Sequence, residues 1–187
     1  VAMAGGRVCA GEITNAVVAG YESFGMCCAE SELGISDDHS GLMEIFEDVA
    51  LGTDICDIYP IKDIIFEVDN KSLTNRPDLW GHYGIAREFS AITKRPLKAL
   101  DIDMSEYDGE EIPVEIKSDA VYRYSALRIN NIKKSVSPVA MRIRLFYCGM
   151  RGINLLADLT NYLMLEVGQP MHALDSRKVE KIRVKRF

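Results

Sequence analysis

Residues 148–175 constrain this chain more than any other stretch, because they encode a helix with a glycine at its entry and a glycine and a proline at its exit. On a wheel of about 100° per residue, a helix over 153–167 gathers Leu155, Leu156, Leu159, Tyr162 and Leu163 in one arc. Asn154, Asp158 and Asn161 then form a polar stripe opposite. Gly168 stops the helix by taking positive φ, and Pro170 keeps it from resuming. His172 follows on a short, stiff turn. Arg151 and Thr160 flank the same helix, so three polar groups are expected to converge near its ends, although periodicity alone does not make them a site.

The chain before this stretch reads as short strands, then a turn and helix, then a second mixed module. Residues 13–18 and 21–28 are predicted strands around Ala19-Gly20, and 42–45 another. Residues 31–34 form a brief turn, 36–41 a loop of Asp, Ser and Gly, and 52–58 a single helical turn. A lone His39 in that loop reads as a surface hydrogen-bonder. Residues 63–69 alternate as a strand, with Ile64, Phe66 and Val68 on one face. Pro77 enforces a turn, and Asp78 is the expected cap of a helix over 79–93 that buries Leu79, Tyr83, Ile85, Ala86, Phe89 and Ile92. Lys94 and Arg95 complement that helix's dipole in its last turn before Pro96. Arg76 can hold a carboxylate or phosphate, or bridge the turn to Glu67 or Asp69.

The acidic run at 101–111 reads as a linker. Beyond it, 112–116 and 122–132 are predicted strands, and 139–147 is a helix with serine as its cap and Pro138 in its first turn. Met141, Ile143, Leu145 and Phe146 are its apolar positions, and Arg142 and Arg144 its exposed ones. Residues 182–187 alternate apolar and basic like an unfinished strand, and with no starting Met the chain reads as a piece of something longer.

Charge separates the two modules. Residues 1–120 carry 9 Lys+Arg against 24 Asp+Glu, and residues 121–187 carry 13 against 4, within a net charge of −6. The basic part suits a polyanion or an acidic partner, or the two parts attract each other. A hydrophobic content of 48% with 27% charged residues is that of a soluble globular protein, expected in the cytoplasm, and no apolar run approaches the roughly 20 residues of a membrane span. Five cysteines without framework spacing point to a reduced compartment. Cys27, Cys28 and His39 lack the paired C-x-x-C spacing of a zinc site. Walker-type, dinucleotide-binding, zinc-protease and serine-hydrolase motifs are not found in the sequence. A Cys148–His172 nucleophile is disfavoured, because Cys148 sits at an apolar helix end where burial raises its pKa.

Three segments carry a family resemblance. Leu73-Thr-Asn-Arg-Pro-Asp-Leu79, followed by Gly84-Ile-Ala-Arg-Glu88, resembles the NRPD-helix region of bacterial phenylalanyl-tRNA synthetase β subunits. Asp158-Leu-Thr-Asn-Tyr-Leu-Met-Leu-Glu-Val-Gly-Gln-Pro-Met-His-Ala-Leu-Asp175 is similar to another motif of the same subunits. Residues 20–34 resemble the closing half of their tRNA-binding OB barrel, and the three segments come in the family's order. Departures are small: Leu159 for the usual Val, Ala173-Leu174 for Ala-Phe, and Lys71-Ser72 before the turn.

The resemblance implies an α+β fragment. Residues 1–60 would be the second part of the OB-like barrel, 61–100 the NRPD strand-turn-helix module, 101–111 the linker, and 112–187 the first part of an editing domain. It implies an enzyme that pairs with an α subunit as α2β2, charges tRNA with phenylalanine using ATP and magnesium, and hydrolyses mischarged tyrosyl-tRNA. A pocket for phenylalanine rejects an added hydroxyl only weakly, which is why a second site is needed. The family's polar editing residues fall on Arg151, Thr160 and His172, with Pro170 shaping the turn, and Asn75, Arg76, Pro77 and Asp78 form the structural turn. The acidic residue that reads the tyrosine hydroxyl in the family is not among these 187 residues, so the piece alone is expected to be inactive. The rival readings are a non-catalytic tRNA-binding module and an architectural piece of a multisubunit assembly.

Overall fold

The computed structural model describes residues 1–103 and 111–186. Most of the acidic run at 101–111, and the last residue of the 182–187 alternation, lie outside the described residues. The fold is mixed α+β, built from short strands and four α-helices among the described residues. It divides into two compact units: Val1–Ser72 with Val136–Tyr162, and Leu73–Ser135 with Leu163–Phe187.

In the first unit, three antiparallel pairs open the chain. β1 (Ala2–Met3) pairs with β6 (Gly25–Met26), β2 (Arg7–Val8) with β3 (Gly11–Glu12), and β4 (Ala16–Val18) with β5 (Tyr21–Ser23). The β4–β5 hairpin turns at Ala19 and Gly20, both at positive φ (51° and 85°), the two-residue geometry whose twist matches the flanking strands. The predicted strand at 42–45 does not form. Met43 N–H donates to the Cys28 carbonyl (2.9 Å), one bond without a ladder. α1 (Ile55–Ile58) is capped by Asp54, whose carboxylate accepts from Cys56 N–H at 2.8 Å.

The core of this unit is Ile35, Tyr59 and Ile143, with Leu33, Met43, Ile55, Ile58, Ile61, Val139 and Tyr147 around them. α3 (Val139–Tyr147) supplies Ile143, and it ends in a Schellman turn. Gly149 there takes φ 76°, its N–H donates to Phe146 O, and Met150 N–H donates to Leu145 O. Arg142 is not the exposed residue expected. Its guanidinium grips Glu30 through two bonds of 2.9 and 2.7 Å, with the side chains only 22% and 12% exposed. Serine does not cap α3 either: Pro138 is its N-cap, and Ser137 turns its hydroxyl to Asp158. Tyr147 O–H donates to Ile61 O (2.9 Å), and Tyr59 donates to Glu47; burial first, and then that bond, push the Tyr59 phenol up to about 12.

Residues 63–69 form no strand, and Ile64, Phe66 and Val68 are 87%, 70% and 51% exposed. Alternation gives a segment two faces, but a strand also needs a neighbour to pair with. None pairs with 63–69 among the described residues. The same reason removes the predicted strand at 122–132 in the second unit, where Leu127 and Ile129 are each 57% exposed.

In the second unit, a 3-10 turn (Pro77–Trp80) leads into α2 (His82–Thr93). Gly81, not Asp78, is the N-cap. The buried residue of α2 is Gly84, while Phe89 and Ile92 are 53% and 72% exposed, contrary to the expected apolar face. Lys94 takes the left-handed cap at φ 60° instead of extending the last turn, and Arg95 lies over the Phe89 ring at 5.9 Å. β7 (Val114–Lys117) pairs in parallel with β8 (Ile182–Lys185), with Val114 opposite Ile182 and Lys117 opposite Lys185. The division between the units falls inside α4 (Leu155–Val167), after Tyr162.

Candidate functional site

The entry to α4 is built by one buried acid. Asn154 caps the helix, its side-chain oxygen accepting from Ala157 N–H at 3.0 Å. Asp158, predicted on the polar outer stripe, is instead 1% exposed. One of its carboxyl oxygens accepts from Ile153 N–H (2.8 Å) and the other from the Ser137 hydroxyl. The acid thereby joins the loop at 149–154, the start of α3 and the first turn of α4. Gly152 lies in the same corner, where an added Cβ would come 3.4 Å from Arg142 Cγ and Cδ and 3.6 Å from Asp158 Oδ2. Arg151 is carried on this anchored loop and is exposed. Thr160, one turn into α4, donates its hydroxyl to Ala157 O at 2.8 Å, which leaves the oxygen's lone pairs as acceptors. The Cys148 thiol is pushed up, chiefly by loss of solvent and then by Asp63, which disfavours the thiolate.

The exit of α4 belongs to the second unit. Gly168 takes φ 75°, and its N–H donates to Met164 O at 2.8 Å. The turn at 75–78 is wedged against it. A Cβ on Gly81 would lie 2.3 Å from Gly168 N, and one on Gly84 would lie 1.6 Å from Asp78 O. Neither backbone approach tolerates a side chain. His82 Nδ1 sits 2.8 Å from Leu165 O and adds a polar link between α2 and the last turn of α4.

Arg76 locks the wedge. It forks onto Asp78 (Nε to Oδ1 and Nη2 to Oδ2, each 2.9 Å) and reaches Glu88 at 2.9 Å, while Arg87 meets the same Asp78 at 2.8 Å. Its partners are therefore Asp78 and Glu88, and the expected bridge to Glu67 or Asp69 is replaced. Arg76 and Arg87 hold the Asp78 carboxyl far below the usual carboxylate range. Asn75 is the exposed corner of the turn, and Arg76 N–H closes it onto Leu73 O at 2.9 Å.

Past Gly168 the chain makes a local turn at Asp175, whose carboxylate accepts from Arg177 N–H and Nε at 3.1 and 3.0 Å. Pro170 and His172 lie between Gly168 and this turn, and both are exposed. The imidazole is thus open to solvent and not sealed among aliphatic neighbours. Arg151 and Thr160 belong to the first unit, Pro170 and His172 to the second. His39 lies in its loop with Nδ1 2.9 Å from Ser31 Oγ, the surface role its sequence context suggests. No group of three His, Cys, Asp or Glu side chains among the described residues is placed to hold a metal ion.

Three features escaped sequence reasoning: the inward turn of Asp158, the close approaches at Gly81 and Gly84, and the basic face of the β7–β8 pair. Two glycines three apart inside a helical pattern were the available signal for the second. On the sheet face, Glu115 takes Lys181 at 2.7 Å, Lys117 at 3.1 Å and Arg183 at 3.3 Å. Lys181 first, then Lys117, draws the Glu115 carboxyl down to about 2. A carboxyl depressed in the folded state stabilises it above the ordinary value of 4.5, and that contribution is lost as pH falls through 2. Amide-exchange protection at Ile182 and Val184 is therefore expected to fall between pH 4.5 and 2, and Glu115→Gln to remove that dependence.

Residues 120–187 match the B3/4 domain family, which places the α3–α4–β8 part in a known class of module. The chain is 43% identical over 166 residues to a phenylalanine–tRNA ligase beta subunit of Solibacter usitatus, covering 88% of this chain and 21% of that protein. It is 42% identical over 171 residues to the same subunit of Desulfotalea psychrophila, covering 90% and 21%. It is 39% identical over 179 residues to that of Clostridium acetobutylicum, covering 92% and 22%. The chain matches part of phenylalanine–tRNA ligase β subunits, and it spans about a fifth of the length of the curated relatives it matches.

Proposed function

We propose that this chain contributes part of an editing centre to a phenylalanine–tRNA ligase that charges tRNA with phenylalanine and hydrolyses mischarged tyrosyl-tRNA. The observation that carries the reading is the held exit of α4. Gly168 is clamped by Pro77–Gly81, and the residues that follow at 170 and 172 are exposed just past that held point, with Pro170 limiting the backbone between them. A side chain carried just past a braced stretch of backbone is open to substrate while its main chain is held nearby, which suits a positioning group.

His172 orients the attacking water and the 3′-terminal adenosine, and Pro170 stiffens the approach. Thr160 presents a hydroxyl oxygen whose proton is already committed to Ala157 O, so it acts as an acceptor toward the adenosine or the water. Arg151 anchors the tRNA end or polarises the ester carbonyl from its own loop. Water adds to the ester carbon and the ester C–O bond breaks. Tyrosine leaves as the acid, the tRNA regains its terminal hydroxyl, and no covalent enzyme intermediate forms. The turn at 75–78 is the brace behind the bend and does not touch substrate.

Around this centre, 1–60 serves as part of an OB-like tRNA-binding barrel, 61–100 as the bracing module, 101–111 as a linker and 112–187 as the start of the editing domain. ATP and magnesium serve aminoacylation, which is the work of the whole α2β2 assembly in the cytoplasm. In the intact subunit with its partner, His172→Ala or Arg151→Ala is expected to slow deacylation of tyrosyl-tRNA by roughly 10²-fold and to leave phenylalanine charging at the parent rate. Unchanged deacylation in both variants would favour an architectural role for these residues.

A further inference from the structure

We propose that the outer face of the β7–β8 pair, together with the loop at 177–181, is a track for the sugar-phosphate backbone of tRNA. The inference rests on the tRNA reading above and adds which surface meets the backbone.

The parallel register fixes the geometry. Ile182 and Val184 point to one face, and Lys181, Arg183 and Lys185 lie along the other, beside Lys117 from β7. Successive same-face residues of a strand stand about 6.6 Å apart, a spacing close to that of neighbouring phosphates along a nucleic-acid strand. Arg177 and Lys178 continue the row in the loop, where residues 177–181 and 183 line an open depression of about 420 Å³.

Glu115 is the organiser of this face. One carboxylate contacts Lys181, Lys117 and Arg183 at 2.7–3.3 Å. A single negative charge orients three cations but neutralises only one of them. The ammonium and guanidinium groups are therefore partly ordered before any ligand arrives, which lowers the entropy lost on binding. They remain accessible, with side chains 55%, 43% and 66% exposed for Lys117, Lys181 and Arg183 and 87% for Arg177. Asp175, Glu180 and Glu115 are the acids of the surface, against six bases at 117, 177, 178, 181, 183 and 185. A row of cations with a single valine, Val179, in the lining of the depression suits a repeating polyanion better than a lipid surface, which calls for several inserted apolar side chains.

The test measures binding of unmodified tRNA to the 187-residue chain by fluorescence anisotropy between 50 and 200 mM salt, in about four steps. The triple variant Arg177→Gln, Lys178→Gln, Arg183→Gln is compared with the parent and with Lys62→Gln, Lys98→Gln as a charge-loss control. Circular dichroism checks that each variant is folded. The expected result is at least tenfold weaker binding by the triple variant at low salt. Its plot of log affinity against log salt should be shallower by about two, because each lost phosphate contact removes about 0.7–0.9 from the slope. The control should match the parent. A triple variant that binds like the parent overturns the surface assignment and leaves the tRNA reading standing. A parent that binds tRNA no better than poly-glutamate overturns both.

Discussion

Gly84→Ala is expected to disrupt the second unit at its bracing turn, because the new methyl carbon would sit 1.6 Å from Asp78 O and 2.5 Å from Asp78 C. Both are backbone atoms, so no rotamer change relieves the overlap, and the 3-10 turn must separate from α2. Ordinary overpacking costs about 1–3 kcal/mol. A displacement of main chain that also breaks the Arg76 and Arg87 contacts to Asp78 and Glu88 should exceed that range, on the order of 4 kcal/mol or more. The measurement is a urea midpoint, with Gly41→Ala as the control, since a Cβ there meets nothing within 4 Å. The consequence reaches function: once Pro77–Gly81 moves, the brace behind Gly168 is lost. In the intact subunit, deacylation of tyrosyl-tRNA should then fall even though position 84 never approaches substrate. A midpoint equal to that of the Gly41 control would show that the close approach has been misjudged.

Asp158→Ala should have the next largest effect. The substitution removes the acceptor of Ile153 N–H and leaves the Ser137 hydroxyl buried without its own. The lost bonds and the small cavity together cost about 3 kcal/mol. Asp158→Asn separates the roles of the two oxygens. An amide oxygen still accepts from Ile153 N–H, and the Ser137 hydroxyl can rotate to accept from the amide nitrogen, so the loss should shrink to about 1 kcal/mol. Thermal or urea unfolding of the pair gives the comparison directly. Equal destabilisation by Asn and Ala would mean that charge, not acceptor geometry, holds this corner. Arg151 rides on the loop that Asp158 anchors, so deacylation in the intact subunit should follow the same order, with Asn close to the parent and Ala well below it.

Much of the second half was legible from local chemistry. The stop of α3 at Gly149, the stop of α4 at Gly168 and the strand at 182–185 are each written in a few adjacent residues. A glycine past a helix end or an alternation of apolar and basic residues acts over one turn, whatever lies around it. The hairpin at Ala19-Gly20 was legible for the same reason. The strands read at 42–45, 63–69 and 122–132 do not form, since a sequence pattern does not say what will pair with it. Burial of Asp158 and Arg142 was misread too. Helical periodicity assigns polar residues to the outside, while Ser137 and Ile153 in one case and Glu30 in the other offer partners distant in sequence or hidden in a loop.

The candidate residues divide along the same line. That a glycine, a proline and a histidine would follow α4 in a sharp bend was determined by the order of residues 168–172, because backbone limits at glycine and proline are local. What braces that bend was decided only in three dimensions. Pro77–Gly81 meets Gly168 across some ninety positions of chain, at a distance that only two backbones without side chains can share. The basic row on β8 is likewise visible as a string of charges in the sequence, but its ordering by Glu115 required β7 to pair beside it in parallel. Local conformation depends on neighbours along the chain, whereas burial, charge pairing and support depend on whatever the fold brings alongside.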